Sequence, residues 1–180
     1  MPVGDLFKYK PQIDFRKSNS YYVEITGADG VELADFVKEV TLPSVSCNAE
    51  EVRMGGFTRQ IPARNDFGDL SITFYDNAEG DITYKLYDWF NKAVDFKDGT
   101  SNHDIDNYTK EIRVYSFVES NGANKELDFK KGLIWRFQRA WIKDINFGMF
   151  EYDSVENVEI SVTFAFWLFT IEQRDGKGND

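Results

Sequence analysis

Residues 156–171 read ENVEISVTFAFWLFTI, and the fold is decided there. Val158, Ile160, Val162, Phe164, Phe166 and Leu168 recur at every second position, with Glu159, Ser161 and Thr163 between them. That is the period of a β-strand, filled with the β-branched and aromatic residues that strands favour. At ~3.3 Å per residue the segment spans roughly 50 Å, whereas ordinary strands run about 5–6 residues. From Trp167 onward the polar side turns apolar as well, through Phe169 and Ile171. Both faces need cover there, from this chain or from another copy.

Working outward, residues 133–147, LIWRFQRAWIKDINF, form a second very long strand. Trp135, Phe137, Trp141, Ile145 and Phe147 share one face, interrupted by Arg139 and Lys143; Arg136, Gln138, Asp144 and Asn146 share the other. A turn over 148–154 makes the two long strands an antiparallel hairpin. Shorter strands are read at 21–26, 36–45, 69–75 and 111–119. In the second of these Val40 and Leu42 point inward and Glu39 and Thr41 outward, with Pro43 near the end because it lacks a ladder donor. In the third, Leu70, Ile72 and Phe74 oppose Asp69, Ser71, Thr73 and Tyr75. Between 81 and 94 the period changes: Ile82, Leu86, Trp89, Phe90 and Ala93 mark an amphipathic helix, with Asp81 as its expected N-cap.

Residues 46–67 show no core-facing pattern and read as a long irregular loop. It carries Glu50, Glu51, Arg53, Met54, Gly55, Gly56, Phe57, Ile61 and Pro62. Structureless stretches beyond ~15 residues are uncommon in compact domains unless functional or mobile. Phe57 and Ile61 need cover that a partner surface would provide. The fold class that results is mainly β: an antiparallel β-sandwich or partial barrel with one packed helix. The β domain is expected over 21–172, after an N-terminal arm (1–20) and before a polar, frayed tail (173–180).

A chain of 180 residues, 42% of them hydrophobic, suits one domain with a sizeable core. No apolar run approaches the ~20 residues of a membrane helix, so no membrane insertion is expected. The first residues lack the apolar centre of a secretory signal, and the single cysteine, Cys47, permits no intrachain disulfide and fits a reducing compartment during folding. A net charge of −10 argues against gripping nucleic acid by its phosphates. It is compatible with letting nucleic acid pass, since an acidic surface repels a polyanion within ~8–10 Å at ordinary salt.

Catalytic chemistry finds no support. His103 is the only histidine and lies in a loop of Asp, Asn, Gly and Ser, where it reads as exposed. Zinc is not expected from one cysteine and one histidine. Asp98, Asn102, Asp104 and Asp106 offer oxygens without EF-hand spacing and read as a solvated acidic loop. Cys47 has no histidine or basic cluster beside it and reads as a small apolar residue. Glu50 and Glu51 are adjacent carboxylates with nothing to tune them. Trp135, Trp141 and Trp167 read as core or interface rather than as stacking platforms. No enzyme activity, cofactor or metal is expected.

The order of features is then informative. A strand with Phe36-Val-Lys-Glu-Val40 is followed by Glu50-Glu-Val-Arg-Met-Gly-Gly56, then Ile61-Pro62, then Gly68-Asp-Leu-Ser-Ile-Thr-Phe74, then a helix with Tyr87-Asp-Trp-Phe90. This resembles the tail tube proteins of contractile-tailed bacteriophages, over about residues 21–171. The re-entry departs from the family, which often has Pro-Gly where this chain has Pro62-Ala63. The resemblance implies a structural virion protein, assembled in the host bacterial cytoplasm into six-subunit rings that stack into a tube. Its partners would be copies of itself, the tail sheath, the baseplate and tail terminator proteins, and viral DNA passing without specific binding. Four strands from each of six copies, ~4.8 Å apart, give a backbone circle roughly 37 Å across untilted and about 48 Å with a typical tilt. The lining would be Glu39, Thr41, Asp69, Ser71, Thr73, Gln138, Asp144, Asn146, Glu159, Ser161 and Thr163, with Arg136 near one rim. The loop from Glu50 through Met54, Gly55 and Gly56 to Pro62 would join stacked rings.

Two neighbouring readings share the mechanism: the tube of a type VI secretion or other contractile injection system, and a baseplate protein that starts the tube, which the short chain disfavours. A reading from a different class is a carbohydrate-binding sandwich or hydrolase, a soluble monomer with exposed tryptophans.

Overall fold

The computed structural model describes residues 20–27, 33–95, 97–119, 127–152 and 157–175. The expected N-terminal arm up to residue 19, the turn at 120–124 and the last five residues of the expected tail lie outside them. The strands are β1 (Tyr21–Ile25), β2 (Val37–Thr41), β3 (Val45–Met54), β4 (Phe57–Phe67), β5 (Leu70–Tyr75), β6 (Lys110–Glu119), β7 (Leu127–Asn146), β8 (Glu159–Ala165) and β9 (Leu168–Asp175). Two helices have both ends within the described residues: α1 (Asp81–Ala93) and a short α2 (Ile105–Tyr108) inside the expected polar loop.

All pairings are antiparallel, in the order β1-β6-β7-β8-β5-β2, with β9 also on β7. β7 is the corner of the molecule. One stretch of it, residues 131–138, pairs with β9 and on its other side with β6. The next, residues 141–146, pairs with β8. The result is two halves that share β7: β1-β6-β7-β9 and β2-β5-β8-β7. Tyr21 Oη donates to the Lys38 carbonyl at 2.5 Å, tying β1 of the first half to β2 of the second.

The expected C-terminal hairpin is present, but its second arm is two strands rather than one. The chain breaks at Phe166-Trp167, between β8 and β9. Opposite the break, Arg139 takes φ 52°, and the Trp167 N–H donates to the Gln138 carbonyl at 3.1 Å. This break explains why the alternation fails there. Inward positions step from Phe164 to Phe166 and then to Phe169, and both later rings pack on Phe137, at 5.0 and 5.3 Å. Phe169 is thereby covered by its own fold, whereas Trp167 and Ile171 stay exposed, the indole under the Arg139 guanidinium at 4.9 Å. β9 also continues to Asp175, past the point where the tail was expected to begin.

The inner faces of both halves and α1 meet in one apolar cluster. Val23, Ile25, Ile112, Val114 and Phe137 come from the first half, Ile72, Phe74, Val162 and Phe164 from the second, and Ile82, Leu86 and Trp89 from the helix. Trp89 reaches Phe164 at 5.3 Å between ring centres. The helix cap differs from expectation. Asp81 is not the cap but the first helical residue, after Gly80 at φ 76°. Its N–H donates to Asn77 Oδ1 at 2.8 Å, and the Thr83 N–H donates to Asp76 Oδ1 at 3.4 Å, so two upstream side chains satisfy the orphan donors.

The expected irregular loop at 46–67 is instead a regular hairpin, β3–β4, forming a two-stranded sheet of its own. Met54 pairs with Phe57 across the two-residue turn Gly55-Gly56, and Gly55 takes φ 62°, as mirror-type hairpin turns require. Every residue of the pair except half-buried Val52 is exposed. Without a core-facing side there is no alternation for the sequence to display. Cys47, expected as a small apolar residue, is exposed on β3.

Candidate functional site

The register of the second half assembles the expected polar residues into rows across four strands. Thr41, Ser71, Thr163 and Asp144 lie side by side, and Glu39, Thr73, Ser161 and Asn146 form the next row. Glu159 pairs with Tyr75 one row further, and Asp69 flanks the face at the opposite end, just before β5. The alternating strands make this possible: β5 and β8 bury every second side chain, leaving the hydroxyls on the other side. Thr73 and Ser161 hydroxyls approach to 3.5 Å across the strands.

Gln138 is not among them. It lies beyond the Arg139 irregularity, opposite Leu168 in the first half. Arg136 is also in the first half, ion-paired with Glu111 at 3.1 Å and Glu172 at 3.2 Å. Beside it, Arg113 Nε donates to Glu111 at 2.7 Å, and the Tyr115 hydroxyl donates to Glu24 at 2.5 Å. The hydrogen bond to Glu111, and after it the one to Tyr115, hold the Arg113 guanidinium well above its usual range, while burial, first, and then Glu24 raise the Tyr115 phenol.

Two residues of the face escape an alternation-based reading. β-Bulges fall between Val37 and Glu39 on β2 and between Ile142 and Asp144 on β7. A bulge adds one residue and re-aims a side chain, and in each case that residue is a lysine. Lys38 Nζ donates to Glu159 Oε1, and Lys143 Nζ donates to Asp69 Oδ2 at 2.6 Å. The Glu159 bond raises the Lys38 ammonium above its ordinary value, so Lys38 stays charged through neutral pH and gives up its proton only as alkaline pH passes that raised value. The face therefore sets two ammonium groups against Glu39, Asp69, Asp144 and Glu159, and is less acidic than the carboxylates alone imply. Both pairs are exposed and screened by solvent, so the lysines matter for the field of the face more than for stability.

The two outer strands of this half, β2 and residues 141–146 of β7, carry no further strand partner among the described residues. The hairpin β3–β4 departs from the end marked by Thr41 and Leu70. Its register puts Met54 with Phe57, Val52 with Arg59 and Glu50 with Ile61, so these share one side. Arg53 with Thr58, Glu51 with Gln60 and Ala49 with Pro62 occupy the other. One side is thus largely apolar, with Phe57 79% exposed and Met54 64% exposed.

Among the described residues no three His, Cys, Asp or Glu side chains are grouped to hold a metal, and His103 is an exposed loop residue. No helix among the described residues is long and apolar enough to cross a membrane.

A family model described as phage tail tube protein matches residues 8–172. No curated protein matches the chain. Among solved structures, the fold is similar to a chain of the extended sheath–tube complex of the PVC extracellular contractile injection system, at 14% identity and TM-score 0.61, covering 96% of this chain and 99% of that one. It is also similar to the tube-terminating cap of the anti-feeding prophage, at 15% identity and TM-score 0.58 over 89% and 93% of the two chains. Hcp1 of the E. coli EAEC 042 pathovar gives 9% identity and TM-score 0.53 over 88% and 94%. The mainly β, antiparallel fold is the one these tube proteins share.

Proposed function

Because the chain belongs to the phage tail tube protein family, we propose that it is the repeating subunit of a stacked, six-membered ring whose channel wall is the β2-β5-β8-β7 half. The observation that carries this reading is a four-strand polar face whose two outer edges have no strand partner among the described residues. Open edges are a liability for a solitary domain. Joining β2 of one copy to residues 141–146 of the next removes both edges at once, through a head-to-tail contact that closes only as a ring. The apolar core and α1 then lie outside the wall, and the rows led by Thr41 and Glu39 line the channel, with Asp69, Lys38 and Lys143. The projecting hairpin joins one ring to the next. DNA is the cargo, kept moving by hydroxyls and a modest excess of carboxylates that offer few fixed contacts. Sheath, baseplate and terminator partners follow from the same reading.

Sedimentation of the purified chain tests the assembly: discrete ring-sized species and longer polymers are expected, and a monomer at every concentration contradicts it. The lining is tested separately. Changing Asp69, Asp144 and Glu159 together to Lys should slow DNA ejection from assembled particles, while Lys38→Gln with Lys143→Gln should not. The Asp69→Lys change also sets a like charge beside Lys143, at a cost of about 1 kcal/mol or less on an exposed face. Normal ejection by the triple variant contradicts this lining.

A second reading has its own support. The two bulge lysines weaken the repulsion a DNA conduit relies on, and a mixed-charge channel suits protein cargo equally well. On this reading the chain is the inner tube of an injection or secretion apparatus. Particles that carry protein and no DNA in the channel would decide for it.

A further inference from the structure

The exposed apolar surface of the second half is divided between its two ends. At one end stands the hairpin tip, with Met54, Phe57, Val52 and Ile61 on one side and Arg53 and Arg59 close by. At the other end, where β5 stops at Tyr75, β7 at Asn146 and β8 starts at Glu159, a second surface is uncovered. Phe147 and the α1 residues Tyr84 and Tyr87 line a groove there with Glu79 and Asp81. Met149, Phe150 and Tyr152 line the adjoining groove with Glu151 and Glu159. Phe150 is 86% exposed and Tyr152 is fully so, at 104%.

We propose that this acid-flanked aromatic surface is the seat for the β3–β4 hairpin tip of a second copy, in the ring above or below. Three observations favour that occupant. The tip and the seat are both apolar, and apart from half-buried Val52 both stand exposed among the described residues. Their charges are opposite, with Arg53 and Arg59 on the tip and Glu79, Asp81 and Glu151 on the seat. They sit at opposite ends of the same four strands, so the contact repeats head to tail and yields an open stack rather than a closed pair. The proposal rests on the reading that the chain forms stacked rings, and it names the surface that receives each ring's hairpins.

Photo-crosslinking the full chain tests it. A benzophenone amino acid replaces Phe57 or, in a second chain, Met54; assembled tubes are irradiated, and crosslinked peptides are identified by mass spectrometry. Crosslinks to the peptides carrying Tyr84 and Tyr87, or Met149 to Tyr152, are expected. Tubes that crosslink only elsewhere overturn the seat and leave the ring reading standing. A second measurement needs no probe at the tip. Phe150→Glu with Tyr152→Glu, both at exposed positions, should keep the subunit folded and raise the concentration needed for stacking by at least about tenfold, the effect of a buried interface anchor. Stacking at the parent concentration overturns the seat. Failure of the unaltered chain to assemble at all overturns the ring reading and this proposal with it.

Discussion

Replacing Glu51–Gln60 with a two-residue Asn-Gly turn should leave a subunit that melts like the parent and forms no stacked tubes. The Glu50↔Ile61 pair is the last one retained, so the shortened strands stay in phase and the turn sits where a two-residue turn belongs. Every side chain removed is exposed or, for Val52, half-buried, and none belongs to the apolar cluster. Surface changes of this kind usually alter stability by about 0.5 kcal/mol or less. The base of the hairpin is kept, including Phe67, which packs on Phe166 and Phe169 at 6.4 and 6.2 Å. What is lost is Met54, Phe57 and Arg59. Two interface anchors at about 2 kcal/mol each correspond to association roughly a thousandfold weaker. Thermal melting by circular dichroism and sedimentation of the same sample report both halves of the prediction. Tubes at the parent concentration contradict it.

The opposite pattern is expected from Phe137→Ala: failure of the subunit itself. Phe137 is fully buried, and its ring packs on Phe166, in the break between β8 and β9, and on Phe169, just past it. The corner where the two halves share β7 is therefore packed around this side chain. Truncating a buried Phe to Ala costs about 3–5 kcal/mol through lost transfer energy and the cavity left behind. Domain stabilities total only about 5–15 kcal/mol, so the urea midpoint should fall sharply and much of the chain should be unfolded near body temperature. Phe57→Ala, at an exposed site, is the control and should leave the midpoint in place. A loss below about 1 kcal/mol for Phe137→Ala contradicts the role assigned to this corner.

The legible parts of this sequence are those with one dry face. β5 and β8 alternate cleanly because every second side chain meets the core, and α1 shows its stripe for the same reason. Each of the four strands expected to contribute to a shared wall, 36–45, 69–75, 135–147 and 156–171, puts part of its length into the second half, whereas residues 135–138 and 168–171 pair in the first. What stayed hidden has two physical causes. The β3–β4 hairpin is wet on both faces, so only Gly55-Gly56 betrayed it, through its fit to a two-residue turn. The bulges at Lys38 and Lys143 and the left-handed Arg139 shift parity by a residue, which no period-2 count can follow. Those shifts moved Lys143 from the apolar side to the polar face, added Lys38 to it and separated Gln138 from it. The errors therefore fall where strands bend, and they change the charge of the proposed channel more than its shape.

Cryo-electron microscopy of the purified full chain should show stacked six-fold rings in which β2 of each subunit adds to residues 141–146 of its neighbour, with the row of Thr41, Ser71, Thr163 and Asp144 turned toward an open channel. A chain that remains monomeric at high concentration, or rings that present α1 or the β1-β6-β7-β9 half to the channel, would contradict it.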